Sequence, residues 1–286
     1  MKKILFPFEL NNPIYREAYV YAVKFARNLG AELIMLNVFD FELDDSITKV
    51  KYDQQVRKNW LHAYEEIIRF HKYYLGKHLR AGPDLRIKVD YRFLHGKLIN
   101  EIRNIITADA VDLIVLPLSE SRDMNRRQLE IIRTDVFENN RVSLLVIPCQ
   151  GHYRLIDKIV FATDLKELNN YQLYINDIVM LAKIFNASIH FIHISPGDKT
   201  HIPADNEAYK SIMQIIQKNS KHIFRTLNGK DVSGMVLDYV GKNKAELLTV
   251  IKHHHFFLET LFHKSFSDEM SLKSKVPVLV MREITG

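Results

Sequence analysis

The 286 residues, 47% hydrophobic and 26% charged, suffice for two globular domains, and no apolar run approaches the about 18 residues a membrane-spanning helix needs. The single cysteine, Cys149, excludes an intrachain disulfide and fits a reducing compartment, so the expected location is the cytoplasm, without a membrane partner. The net charge of +6 comes from 40 Lys and Arg interleaved with 34 Asp and Glu, without a basic block, which predicts a solvated surface and no nucleic-acid partner.

Lys3-Ile4-Leu5-Phe6-Pro7-Phe8 is a short apolar run that ends in the turn-like Glu9-Leu10-Asn11-Asn12-Pro13, the pattern of a buried strand. This start lacks the long apolar region of a secretory leader. From Tyr15 to Leu29, apolar residues recur at Ala18, Tyr19, Ala22, Phe25 and Ala26 with helical spacing, and Gly30 stands where a helix stops. Glu32–Val38 predicts a second strand. Between Asp40 and Arg80, Trp60, Tyr64, Ile67, Ile68, His71 and Leu75 keep helical register. Trp60 and Tyr64 are expected to pack on the sheet as core; with Tyr73 and Tyr74, the alternative is a partner surface. Arg86–Phe93 predicts a third strand, Lys97–Thr107 a helix, Asp112–Leu116 a fourth strand, Arg126–Asn139 a helix and Val142–Ile147 a fifth strand.

After a linker at Gln150–Arg154 the same order returns. Strands are predicted at Lys158–Ala162, Ser188–Ile194, His222–Thr226, Glu246–Ile251 and Val276–Met281. Helices are predicted at Tyr171–Phe185, around Asp205–Asn219, at Val232–Val240 and from near Ser265. Apolar strands alternating with helices predict an α/β fold of two tandem, doubly wound, parallel five-stranded sheets with helices on both faces. The domains are 1–150 and 153–286. Each is large enough to bury its own core and too long for a solenoid repeat of about 20–50 residues. Residues at the carboxyl ends of strands one and four converge where open α/β sheets hold ligands. They are Glu9 and 117–121 in the first copy, Asp164 and 251–255 in the second.

The lysine-led strand ending in an acid recurs in both copies. So do the turns Gly30-Ala31-Glu32-Leu33 and Asn186-Ala187-Ser188-Ile189. With Asp112-Leu113-Ile114-Val115 and the ending Val276-Pro277-Val278-Leu279-Val280, this order resembles the universal stress protein family in its tandem form, over nearly the whole chain. The resemblance implies a Rossmann-like fold of the adenine nucleotide alpha hydrolase kind. In ATP-binding members it also implies a G-x2-G-x9-G-[ST] loop after strand four, with an acid ending strand one to hold the adenosine. Glycines there let backbone N–H groups reach phosphate oxygens.

Laid on this chain without a gap, the glycine positions fall on Pro117, Glu120 and Glu130, then Ile131, in the first copy. In the second they fall on Ile251, His254 and Lys264, then Ser265. No glycine occurs from Lys97 through Gln150 or from Lys242 through Thr285. In the first copy two carboxylates stand where phosphates would sit and Glu9 replaces the usual Asp, which opposes ATP there. In the second, Asp164 matches the acid, Ser265 the hydroxyl, and His254, Lys264 and Lys252 offer cationic charge. Asp164, His254, Lys264 and Ser265 are therefore the candidate site for ATP, AMP or another anion. The plainer reading of Asp164 is a strand-end turn or helix-cap acid. No other cofactor is expected.

His253-His254-His255, with His263 and His222, invites a metal, but neighbouring residues on an extended segment point to opposite faces, so at most two of the three share an ion. His190 and His193 fall on opposite faces of their strand. No metal site is expected. Cys149 follows Pro148 without an adjacent base, and no G-x-S-x-G elbow exists, so no catalytic residue is assigned. The expected function is that of a non-enzymatic stress-response regulator with a degenerate ATP site, acting through an unidentified protein partner. The alternative is an adenine nucleotide or anion sensor working through the second copy. The family's strand-five pairing further implies an internal pseudo-dimer in which Val142–Ile147 packs near Val276–Met281. Association of two such chains into a homodimer stays open.

Overall fold

The computed structural model describes residues 1–9, 12, 14–39, 49–78, 87–118, 142–148, 153–163, 171–195, 210, 213–217, 221–229, 231–251 and 274–282. By contact they form two compact units. The first is built on β1 (Lys3–Pro7), α1 (Tyr15–Leu29), β2 (Glu32–Phe39), α2 (Lys49–His78), β3 (Val89–His95), α3 (Leu98–Asp109) and β4 (Leu113–Leu118). Its strands run parallel in the order β3-β2-β1-β4. Ile4, Leu5 and Phe6 of β1 are wholly buried, as are Leu113 to Leu116 of β4. Each such side chain contributes about 1.5–3 kcal/mol by leaving water, which explains why these continuous apolar runs occupy the centre of the sheet.

Register fixes the faces. Phe6 lies beside Met35 and Met35 beside Tyr91, so these three and, two residues on, Phe93 share one face. Helices α1 and α2 cover it: Tyr19 stands 6.4 Å from Phe6, and the Trp60 and Tyr64 rings each stand 5.9 Å from Phe93. Asp90 and Arg92 point to the other face, where Arg92 meets Asp109 of α3. Helices thus lie on both faces of this unit.

The second unit is built on β5 (Ser143–Pro148), β6 (Lys158–Thr163), α4 (Tyr171–Phe185), β7 (Ser188–Ser195), β8 (His222–Asn228), α5 (Val232–Asn243), β9 (Leu247–Ile251) and β10 (Val278–Met281). The parallel order β8-β7-β6-β9 repeats that of the first unit, and β10 adds a fifth parallel strand beside β9. Beyond it β5 joins β10 antiparallel, with Leu145 opposite Leu279 and Val146 opposite Val278. The strand that closes the first sequence copy therefore pairs with the strand that closes the second.

Helix ends follow local chemistry. Gly30 takes a left-handed φ of 61° after α1, and its N–H reaches the carbonyls of Ala26 and Arg27. Ala110 after α3 and Lys244 after α5 adopt the same conformation at φ 52° and 53° without being glycine. Asp231 caps α5, its Oδ1 accepting the Gly234 N–H at 3.0 Å.

One expectation is corrected in degree. Trp60 and Tyr64 do pack on the sheet through Phe93, but they are 41% and 39% exposed, and Tyr73 is 58% exposed. The two rings stack on each other at 5.3 Å near β3, which is the end strand of this unit's sheet among the described residues. Among the described residues, no helix is long and apolar enough to cross a membrane.

Candidate functional site

The first unit has a cleft of about 200 Å³ at the carboxyl end of β1. Phe8 extends the strand past Pro7, its N–H donating to Leu36 O at 2.9 Å, and the buried Asn37 side chain donates to Phe8 O at 2.9 Å. The chain is thus held up to the residue where it turns, which is Glu9. Asn12 then organises the turn. Its Nδ2 donates to Glu9 Oε2 at 2.8 Å, its Oδ1 accepts from Ile14 N at 3.2 Å, and its carbonyl accepts from Tyr15 N at 3.3 Å. This short network fixes the Glu9 carboxylate at the mouth of the cleft and starts α1.

Phe6, Phe8 and Met35 form the floor, and Tyr15 and Arg16 of α1 one wall. The opposite wall comes from Glu66, Ile67 and Phe70 of α2. The Glu66 side chain is 33% exposed and pairs with Arg69 at 2.7 Å. Among the described residues, the lining combines four aromatic rings with two carboxylates and one guanidinium. A carboxylate repels phosphate, and Glu9 and Glu66 place two of them at the cleft, Glu66 with Arg69 as its ion-pair partner.

Beside this cleft the Tyr19 hydroxyl is hydrogen-bonded to His71 Nδ1, and the His71 ring meets Tyr91 edge-on at 5.7 Å. Burial holds the His71 pKa below the ordinary histidine value and pushes both tyrosines upward. All three groups are neutral near pH 7. They anchor α2 to α1 and β3.

In the second unit the equivalent strand ends carry polar side chains instead. Thr163, His193 and Thr226 are in register across β6, β7 and β8, one polar rung on one face. Phe161 and Phe191 lie one rung below, their rings 5.6 Å apart, and Thr249 falls beside Phe161. Thr249 Oγ1 is buried without a hydrogen-bond partner. His190 is buried on the opposite face from His193 and bonds the Tyr239 hydroxyl of α5 at 3.0 Å. Burial first, then Lys158 and Arg225, lowers its pKa.

The predicted residues Asp164, His254, Lys264 and Ser265 lie outside the described residues, as do Glu120, Glu130, Ile131, Cys149, Lys252, His253, His255 and His263. The structure does place the first residue of each expected glycine loop. Pro117 is buried within β4, and Ile251 is the buried last residue of β9. Among the described residues, no group of three or more His, Cys, Asp or Glu is placed to hold a metal.

Sequence reasoning found Glu9 but missed Asn12, Glu66 and Phe70 as lining residues. Asn12 was readable as a turn residue before a helix. Glu66 and Phe70 carry no local signal, because only the packing of α2 across the sheet brings them to β1.

No protein-family model matches the chain, nor does any curated protein. Solved structures do. A universal stress protein from Archaeoglobus fulgidus DSM 4304 superposes with a TM-score of 0.65 at 14% identity, over 98% of this chain and 96% of that one. The cytoplasmic domain of a prokaryotic cation chloride cotransporter gives 0.56 at 13%, over 99% and 95%. A putative universal stress protein from Pseudomonas aeruginosa UCBPP-PA14 gives 0.52 at 15%, over 98% and 93%. At such identities the likeness is one of fold, and the chain has the universal stress protein-like α/β fold.

Proposed function

We propose that this chain is a non-enzymatic, universal stress protein-like regulator whose first copy has a degenerate nucleotide site. In this reading, residues 1–150 and 153–286 form an internal pseudo-dimer in the cytoplasm and act through protein contact. The observation that carries the reading is Pro117. Where the phosphate loop's first glycine belongs, a residue without an N–H is buried inside β4. Glu9 at the cleft places a carboxylate beside the strand end where the resemblance would have the adenosine-holding acid, and Glu66 adds a second one, paired with Arg69. The antiparallel pairing of β5 with β10 supports the pseudo-dimer.

A second reading makes the second copy an adenine nucleotide or anion sensor. It is favoured by the polar rung Thr163–His193–Thr226, which ends immediately before Asp164 in sequence. Titrating ATP and AMP into the full chain and its Asp164→Ala variant separates the two by calorimetry. The regulator reading expects no saturable heat from either protein. The sensor reading expects heat from the parent chain alone. Tight ATP binding that survives Asp164→Ala would place nucleotide in the first copy and end the proposal.

A further inference from the structure

The two units build the same sheet face with different charge. In the first, three cations on that face each meet a carboxylate: Lys88 reaches Glu32 at 2.9 Å, Lys3 reaches Asp109 at 3.6 Å and Arg92 reaches Asp90 at 2.7 Å. Register locates their counterparts in the second. Lys158 lies beside Ser188 as Lys3 lies beside Glu32. The Ile189 N–H donates to the Lys221 carbonyl as that of Leu33 does to Lys88. Ile223 and Arg225 then stand where Asp90 and Arg92 do, and Asn243 precedes the left-handed Lys244 as Asp109 precedes Ala110. All three cations recur, and Ser188, Ile223 and Asn243 replace all three acids.

The second face is therefore positive without an internal answer. Among the described residues, Lys158, Lys221 and Arg225 form no ion pair. Lys158 Nζ donates to the Asn243 carbonyl at 2.9 Å, and Arg225 to that of Phe224 at 3.4 Å. The Glu246 carboxylate accepts the backbone N–H groups of Asp157 and Lys158, and Asp238 pairs with Lys242 at 2.7 Å. After burial, Lys158 and Arg225 are what lowers the His190 pKa. Lys221 and Arg225 are exposed, and Ile223 between them is 40% exposed.

We propose that β8 docks an extended acidic segment of a partner protein, with two carboxylates flanking an apolar residue at alternate positions. Among the described residues β8 has a strand on one side only, which is β7. Such an edge accepts an added strand through its backbone groups. Lys221, Ile223 and Arg225 alternate onto one face and span about 13 Å, at about 3.3 Å per residue. That spacing matches same-face side chains four residues apart on an added strand better than it matches one small anion. Pairing two copies of β8 about Arg225 would oppose like charges, which disfavours a homodimer at this edge. Ile223 needs an apolar partner, which a phosphate backbone does not offer.

This edge gives the protein-contact reading its partner class and rests on that reading. Nucleotide titration tests the reading and peptide titration tests the edge, so the two fail on separate measurements. A blocked heptapeptide of threonines, with glutamate second and sixth and valine fourth, is titrated into the full chain and followed by amide NMR. Its pattern is the same in either strand direction. Saturable shifts centred on β8 are expected, weakening with salt, and none from the peptide with lysine in place of glutamate. Lys221→Ala and Arg225→Ala should each weaken binding about two- to fivefold, as loss of an exposed ion pair does. Ile223→Asp combined with Asn243→Asp gives Arg225 the acids that Arg92 has, and should remove the shifts with every cation still in place. No saturable shift, equal binding of the lysine peptide, or full affinity in both alanine variants overturns the proposal. Tighter binding of oligothymidylate than of the acidic peptide overturns it in favour of nucleic acid.

Discussion

The Tyr19 hydroxyl on α1 and His71 Nδ1 on α2 share a hydrogen bond across 52 residues of sequence. It ties the long helix to the element it covers, at a point where Phe70 also meets the Tyr19 ring at 4.9 Å. Because burial keeps His71 neutral, the tie is sensitive to acid.

The sign is fixed by linkage. The folded-state pKa of His71 lies below its ordinary value of 6.5, so as pH falls the unfolded chain takes up the proton first. Stability is full above that value and drains away as pH drops through the folded pKa. His190 is shifted in the same direction. Thermal unfolding is therefore expected at lower temperature at pH 5.5 than at pH 7.5. His71→Gln, which keeps a polar partner for Tyr19, should flatten that dependence. An unchanged slope in this variant would remove His71 as the cause.

Tyr19→Phe keeps the ring and deletes the hydroxyl, leaving a half-buried imidazole nitrogen without its partner. The expected cost is about 1–3 kcal/mol, read from urea unfolding. Protein concentration should not alter the result, since the contact lies inside one unit.

Arg92 clamps two acids on the opposite face. It reaches Asp109 Oδ1 at 3.0 Å and Asp90 Oδ2 at 2.7 Å, and this grip holds the Asp109 carboxyl below the usual carboxylate range. Arg92→Lys retains the charge but not the planar fork, and should cost about 1 kcal/mol. Stability from Asp109 is present above its unfolded pKa and lost as pH falls through the folded one. The acid limb of the stability curve should thus soften in the variant.

Ala110 and Lys244 hold left-handed conformations that glycine adopts without a Cβ clash. Ala110→Gly and Lys244→Gly are each expected to stabilise the chain by roughly 0.5–1 kcal/mol, after the entropy glycine loses on folding. A lower unfolding midpoint in either variant would contradict this.

How far the sequence spoke depended on locality. Helices α1 and α4 begin and end where periodicity placed them, at Tyr15–Leu29 and Tyr171–Phe185, because each carries a strong apolar stripe. Strand β3 runs on to His95, two residues past the predicted end, because pairing with β2 decides its extent. The two aromatic residues of α2 were read as core from their spacing alone. Spacing shows which face turns inward but not how much chain lies beyond the edge strand. The cleft was half legible. Glu9 follows from its place at a strand end, whereas Glu66 and Phe70 reach it only through the crossing of α2.

β10 is four residues long and lies between two strands that would otherwise each show a bare edge. During synthesis β5 leaves the ribosome well before that filler exists, so a nascent chain carries a sticky apolar ribbon awaiting β10. Loss of β10 would therefore unmask two edges at once, and a protein without it should clump rather than merely loosen.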